Sequence, residues 1–256
     1  IPYNPFGNHS STNIYKPEAP NLENQHYFGT DTTSRDILAR LVYGTRIALL
    51  FAIVYMVAVY LIGVTIGCSM GFFGGTFDLI FQRFIEIWSN VPFLYMVIIV
   101  FSVVPSTFDI PARIAILLTV MVLFSWTGMT YYMRTETYKE KSRDYTAAAV
   151  LLGASNTRII FKHILPNVIS TLVTFMPFTI VAAIASITAL DFLGFGLPAP
   201  TPSLGELLKQ GTANLRTAAW IVTSAFVTLV LLLTLVTFIG EAVRESFDPK
   251  KFTVYK

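Results

Sequence analysis

Few residues of this chain have the type or the spacing that covalent chemistry needs. Its three histidines stand at His9, His26 and His163. The first two fall in a polar N-terminal stretch, so His163 reads as part of a local fold and not as a metal ligand. No Ser, His and Asp set and no pair of carboxylates at working distance suggests hydrolysis. The glycine-rich run Gly71 to Gly75 lacks the Lys that follows a phosphate-cradling loop, and reads as a turn between two apolar segments. Cys68 is a lone cysteine inside an apolar block and reads as a small buried residue. What remains is a short set of polar or helix-breaking residues at membrane depth, where such residues are usually functional or paired. Arg83 and Glu86 lie one helical turn apart, where a local ion pair or snorkelling is favoured over a gate. Asp191 could cap the turn after it or line an external gate. Pro92 and Pro177 free backbone carbonyls and kink their helices, either beside a cavity or as packing irregularities.

These residues belong to a chain that is 54% hydrophobic and only 13% charged, against about 25% charged in an average soluble domain. The apolar residues fall in long blocks, which a bilayer explains and a globular core does not. A crossing needs about 20 apolar residues. Five intervals between charged residues are long enough: Arg46 to Asp78, Glu86 to Asp109, Arg113 to Arg134, about Asn167 to Leu190, and Arg216 to Glu241. The sequence therefore predicts an all-α polytopic membrane protein, multi-pass in lipid. Alternating period-two polarity, the mark of a membrane barrel, is missing. A net charge of +3, without basic runs interleaved with aromatics, excludes a nucleic-acid partner.

Basic residues set the orientation. With the C-terminus in the cytoplasm, eleven of the 18 Lys and Arg fall inside, among them Arg134, Lys139, Lys141, Arg143, Arg158 and Lys162. Residues 1–45 then form an extracytoplasmic arm with a short amphipathic helix, residues 46–243 the transmembrane domain, and residues 244–256 a cytoplasmic tail. An odd number of spans predicts a further one upstream of Ile1.

The segment 135–166 is the longest predicted cytoplasmic loop. Ser142 is an N-cap candidate, Arg143 to Leu152 is rich in helix formers, and Gly153 suits a left-handed C-terminal cap. Ser155 or Asn156 can cap a second helix with Ile159, Ile160 and Ile164 on one side, and Pro166 marks the start of the next span. The hairpin offers Ala147, Ala148 and Ala149 beside Val150 and Leu151, small residues that let another backbone approach. It suits either docking to a partner or an amphipathic helix pair lying at the membrane surface.

Resemblance decides between these. Asp144-Tyr145-Thr146-Ala147-Ala148-Ala149, then Gly153, then His163-Ile164-Leu165-Pro166-Asn167 resembles the EAA loop of bacterial ATP-binding-cassette import permeases. Phe28-Gly29-Thr30-Asp31 with Ser34 to Arg40, and Asp191 to Gly196 with Pro200 to Leu208, resemble flanking segments of the dipeptide, oligopeptide and nickel branch. Within it the chain is most similar to C-type subunits of microcin C-type peptide uptake systems. The resemblance implies the type I importer transmembrane domain, with five spans visible and a sixth upstream, in a bacterial inner membrane. It implies a second permease subunit, two ATPase subunits that carry ATP and Mg, and an extracytoplasmic substrate-binding protein. No cofactor is implied on this chain, and the chain itself is not expected to be an enzyme. Asp144, Tyr145, Ala147, Ala148, Ala149, Gly153, His163, Leu165 and Pro166 would form the ATPase-docking loop. Two residues depart from the family pattern: Ala147 replaces the Glu that names the loop, and Ser34 replaces a Gly. Nickel or another solute is the alternative cargo. An ion-coupled secondary transporter, which needs intramembrane carboxylates or broken inverted repeats, is the alternative mechanism.

Overall fold

The structure, a computed structural model, describes residues 16–105 and 107–247. His9, the start of the arm and most of the expected tail (248–256) lie outside the described residues. Where the described chain is regular it is helical. Asp36 begins the first helix, α1 (Ile37–Phe73), by accepting the Ala39 backbone N–H on Oδ1 at 2.8 Å, a side-chain cap on one of the free N-terminal donors. Nothing between Arg40 and Leu50 breaks the helix. The short arm helix expected before residue 46 is therefore the first part of α1, which runs on through 45/46 without a break.

α1 ends at Gly74 and Gly75, whose φ values of +63° and +56° only glycine adopts without strain. The chain turns there into α2 (Gly75–Ser89), then α3 (Phe93–Val103). α4 (Ile110–Lys141) and α5 (Asp144–Leu151) follow. α6 runs unbroken over Asn156–Leu193, α7 over Leu204–Ala213 and α8 over Ala219–Ser246. The helix α8 passes through the boundary expected at 243/244.

Four of these helices, α1, α4, α6 and α8, are long and apolar enough to cross a membrane. A fifth crossing exists if α2 and α3, bent by 71° at their junction, count as one. The number agrees with the expectation and the second crossing does not. Its expected start at Glu86 lies inside α2, which begins at Gly75 and carries Asp78, Arg83 and Glu86 as part of the helix. Charges that are paired do not end a helix, so they are poor boundary marks.

The chain divides into two units. One comprises Ile1–Ile53, Phe101–Leu117 and Thr179–Phe238. In it the arm is pinned to α7 and to the start of α8. Thr32 Oγ1 donates to Gln210 Oε1 at 3.0 Å, and Trp220 Nε1 donates to the Thr30 carbonyl at 3.3 Å. The other comprises Val54–Val100, Leu118–Phe178 and Ile239–Lys256. Its core is Met70, Ile85 and Trp126, from α1, α2 and α4, with Ile62, Ile66, Phe81 and Tyr131 packed against them.

Glycines at every fourth residue join α1 to α4 in this second unit. A Cβ on Gly63 would lie 2.8 Å from Met129 Cβ, on Gly67 2.5 Å from the Thr130 carbonyl, and on Gly71 2.6 Å from the Arg134 carbonyl. Backbones approach this closely only where side chains are absent. Gly71 is thus a packing residue and not part of the turn. Pro177, inside α6, is buried and faces Gly240 of α8, where a Cβ would overlap the proline ring. It serves helix packing in this unit.

Replacing Gly67 by Leu should destabilise the detergent-solubilised protein by about 1–3 kcal/mol, the usual cost of overpacking. A lowered midpoint in thermal unfolding is the measurement.

Candidate functional site

The hairpin that follows α4 is built from its end caps inward. Ser142 Oγ donates to the Lys139 carbonyl at 2.8 Å, so it closes α4 and does not cap α5. Arg143 holds the N-cap position in extended backbone without a capping side chain. Asp144 then supplies negative charge to the first turn, where the helix dipole favours it. At the other end the Ala154 N–H reaches the Ala149 carbonyl at 3.0 Å and the Gly153 N–H reaches that of Val150 at 2.9 Å. This pair of bonds is the Schellman motif, and Gly153 occupies its left-handed position at φ +76°. A Cβ on Gly153 would meet nothing within 4 Å. The glycine serves the backbone conformation and not a close approach.

Ser155 caps the next helix, its Oγ accepting the Arg158 N–H at 3.4 Å. Residues Ile159–Ile164 are π-helical, and the Leu165 N–H bonds back to Ile160. Pro166 explains the wider turn: it has no N–H to give Lys162, and its ring needs that carbonyl moved aside. Pro166 is the second residue of the α-helical part of this run, Leu165–Leu193, and so marks the start of the span as expected. The π-helical stretch joins it to the short helix Asn156–Arg158 without a break.

Ile159, Ile160 and Ile164 are buried, as their spacing predicts, together with Thr146 and Ala149 from α5. Ala149 therefore faces inward and leaves the predicted docking surface. Ala147 and Ala148 stay exposed. Leu151 and Leu152 are each 87% exposed at the tip, a larger apolar feature than the alanines. His163 is half-buried in the π-helical stretch, and its carbonyl accepts from Asn167 Nδ2 at 2.5 Å. Leu165 is half-buried and Pro166 exposed. Glu140 ties the hairpin to α4: its carboxylate accepts the Tyr145 hydroxyl at 2.5 Å and its carbonyl the Thr146 hydroxyl at 2.8 Å. Loss of water around the Tyr145 phenol, and then this bond to a carboxylate, raise its pKa above the ordinary value.

The remaining polar residues sort by partner. Arg83 and Glu86 form the expected ion pair at 2.6 Å, well inside α2. Pro92 is exposed at the junction of α2 and α3, where its carbonyl accepts the Met96 N–H at 3.3 Å; it starts α3 and kinks no helix interior. Asp191 is buried, and its Oδ1 accepts the Leu197 N–H at 2.5 Å. Of its two expected roles, capping the turn is the one its carboxylate performs here. Gly194 ends α6 with the same Schellman bonds as Gly153, from Phe195 to Leu190 and from Gly194 to Asp191.

Among the described residues, two buried clusters of arginine with carboxylates leave no pattern in the sequence. In the unit that contains the arm, Arg40 is fully buried and its guanidinium meets Glu206 of α7 and, at 3.5 Å, Asp31. Arg35 bridges the same two acids at 2.8 and 3.2 Å. In the other unit Asp78, only 4% exposed, takes a two-pronged bond from Arg134 at 2.5 and 2.6 Å and a hydroxyl bond from Tyr138 at 2.7 Å. Asp78 and Arg134 each bound an apolar interval of the sequence. The demand that a buried charge find a partner was the signal that could have joined them.

The comparisons with known proteins agree with this architecture. Residues 63–253 match the family of binding-protein-dependent transport system inner membrane components, and the chain belongs to that family. Over 230 residues it is 45% identical to the peptidoglycan transport system permease protein YejE of Agrobacterium fabrum, covering 90% of this chain and 58% of that protein. It is 44% identical over 241 residues to the inner membrane ABC transporter permease protein YejE of Escherichia coli, covering 94% and 68%. With the oligopeptide transport system permease protein OppC of Haemophilus influenzae it shares 32% identity over 232 residues, covering 91% and 73%. The chain thus spans less than two thirds of the length of the Agrobacterium relative. A chain of the MetNI methionine ABC transporter, in an inward-facing conformation, has the same fold. It superposes with a TM-score of 0.60 at 18% identity, over 82% of this chain and 96% of that one. The expected type I importer fold is the fold observed.

Replacing Glu206 by Ala leaves the buried Arg40 short of its nearest acid, and should destabilise the arm's attachment by about 1–3 kcal/mol. Earlier proteolytic cleavage within residues 16–36, compared with the unchanged protein, is the readout.

Proposed function

We propose that this chain is the transmembrane permease subunit of an ATP-driven importer of peptides. It forms half of a translocation pathway with a second permease subunit and carries no catalytic group of its own. Two partner ATPase subunits hold ATP and Mg, and an extracytoplasmic binding protein delivers the cargo. The C-terminus and the hairpin α5 lie in the cytoplasm, as the Lys and Arg distribution favours.

One observation carries the docking role. The hairpin presents Leu151 and Leu152 almost fully to solvent on a short helix capped at Gly153 and bonded to α4 through Glu140. Exposed leucines on a braced knuckle suit insertion into a groove on another protein. Because α5 is bonded to α4 and packs its inner face on the first turns of α6, movement of the knuckle carries both helices as one body, a hinge or shear motion. Peptide as cargo rests on the relatives named for oligopeptide and peptidoglycan transport, whose cargoes share peptide chemistry. Nickel or another solute is the outcome that uptake assays with labelled peptides would reveal by their failure.

ATP-hydrolysing subunits should copurify with the assembled complex. In proteoliposomes, Ala148→Trp or Gly153→Asp should lower peptide uptake at least about tenfold while the complex still hydrolyses ATP, since a lost coupling contact is worth factors of this size. Wild-type uptake by both variants would refute the docking role.

A further inference from the structure

The last two turns of α4 hold three other elements at once. Arg134 and Tyr138 grip Asp78 in the first turn of α2. Lys141 Nζ donates to the Phe72 carbonyl at the end of α1 at 2.5 Å and lies over the Phe72 ring at 5.6 Å. Glu140 bonds Tyr145 and Thr146 of α5. All of this happens between residues 134 and 141, about 10 Å of helix at 1.5 Å per residue.

A second attachment lies further along α2. Trp88 Nε1 donates to the Leu123 carbonyl at 2.7 Å, and its ring stacks on Phe124 with centroids 5.1 Å apart. From 78 to 88 along α2, and from 134 back to 123 along α4, the two helices cover nearly equal lengths, about 15 and 16 Å. They therefore run antiparallel and are fastened at both ends. Immediately after the second fastening comes the 71° bend into α3.

We infer that Asp78 is a positioning residue of the transport stroke, making α2 one rigid body with the hairpin α5, so that a push on α5 swings the α2–α3 bend. This rests on the permease reading above. A buried ion pair is poor at adding stability, because apolar residues of similar volume often do as well. What the pair does supply is geometry. A carboxylate fixed by two guanidinium bonds and one phenol admits one register of α2 on α4, and Arg134 Nη2 adds a bond to Gln82 Oε1 at 3.1 Å one turn on.

The test uses the reconstituted full complex and reads solute moved per ATP hydrolysed. Asp78→Asn should lower that ratio at least about fivefold, the low end of coupling effects between sites. Tyr138→Phe should lower it less, and the charge-reversed pair Asp78→Arg with Arg134→Asp should recover most of the loss. A second readout does not depend on transport. Spin labels at Arg83→Cys and Asn156→Cys, in a Cys68→Ala background, should give one narrow distance distribution with and without ATP, and a broadened one once Asp78→Asn is added. A wild-type ratio and a narrow distribution in Asp78→Asn would overturn the inference and leave the permease reading standing. Absence of ATP-driven uptake by the unmodified complex would overturn that reading instead, while the label distances still decide the rigid body. If Asp78→Asn does not assemble, Tyr138→Phe decides: a changed ratio or a broadened distribution supports the inference, and neither overturns it.

Discussion

Asp31, Arg40 and Asp78 are almost wholly buried, and a charge so placed must be met by an opposite charge. Among the described residues, two such meetings join elements far apart in sequence. Asp31, Arg35, Arg40 and Glu206 bind the arm to α7 in one unit. Asp78, Arg134 and Tyr138 bind α2 to α4 in the other. Because each set draws on residues far apart in sequence, each also selects which helices lie side by side. Apolar packing then fills in around that choice, as with Met70, Ile85 and Trp126.

The hairpin follows a different logic. Its shape comes from short-range bonds: the Schellman closure at Gly153, the Ser155 cap and the wider turn before Pro166. Its inner face is closed by Thr146, Ala149 and the three isoleucines, which leaves the leucine tip facing outward. A motif that is rigid by local bonding and bare at its tip can keep its form while a partner comes and goes. The Tyr145 and Thr146 hydroxyls fasten this motif to α4 at Glu140.

Local features were legible in the sequence where one residue type answers one backbone demand. Gly153 is readable as a left-handed cap for that reason, and the N-cap of the next helix is narrowed to Ser155 or Asn156, of which Ser155 performs it. Helical spacing correctly set Ile159, Ile160 and Ile164 on a buried face. The number of crossings was legible from apolar length. Their limits are not, because charged residues do not mark helix ends here: Asp78, Arg83 and Glu86 all sit inside α2, Arg83 paired with Glu86 and Asp78 with Arg134 of α4. Pro166 is legible as the start of the α-helical span, whereas the π-helical turn that joins it to the helix before it is not. Long-range pairs such as Arg40 with Glu206 leave no periodic trace and so stayed hidden.

The glycine stripe on α1 has an implication for inheritance. Any missense change of the codon for Gly63, Gly67 or Gly71 attaches at least one carbon where α4 leaves no room. Even alanine, the mildest replacement, introduces that carbon. These three positions should therefore be among the least tolerant of drift in the whole chain, although none of them carries a functional group.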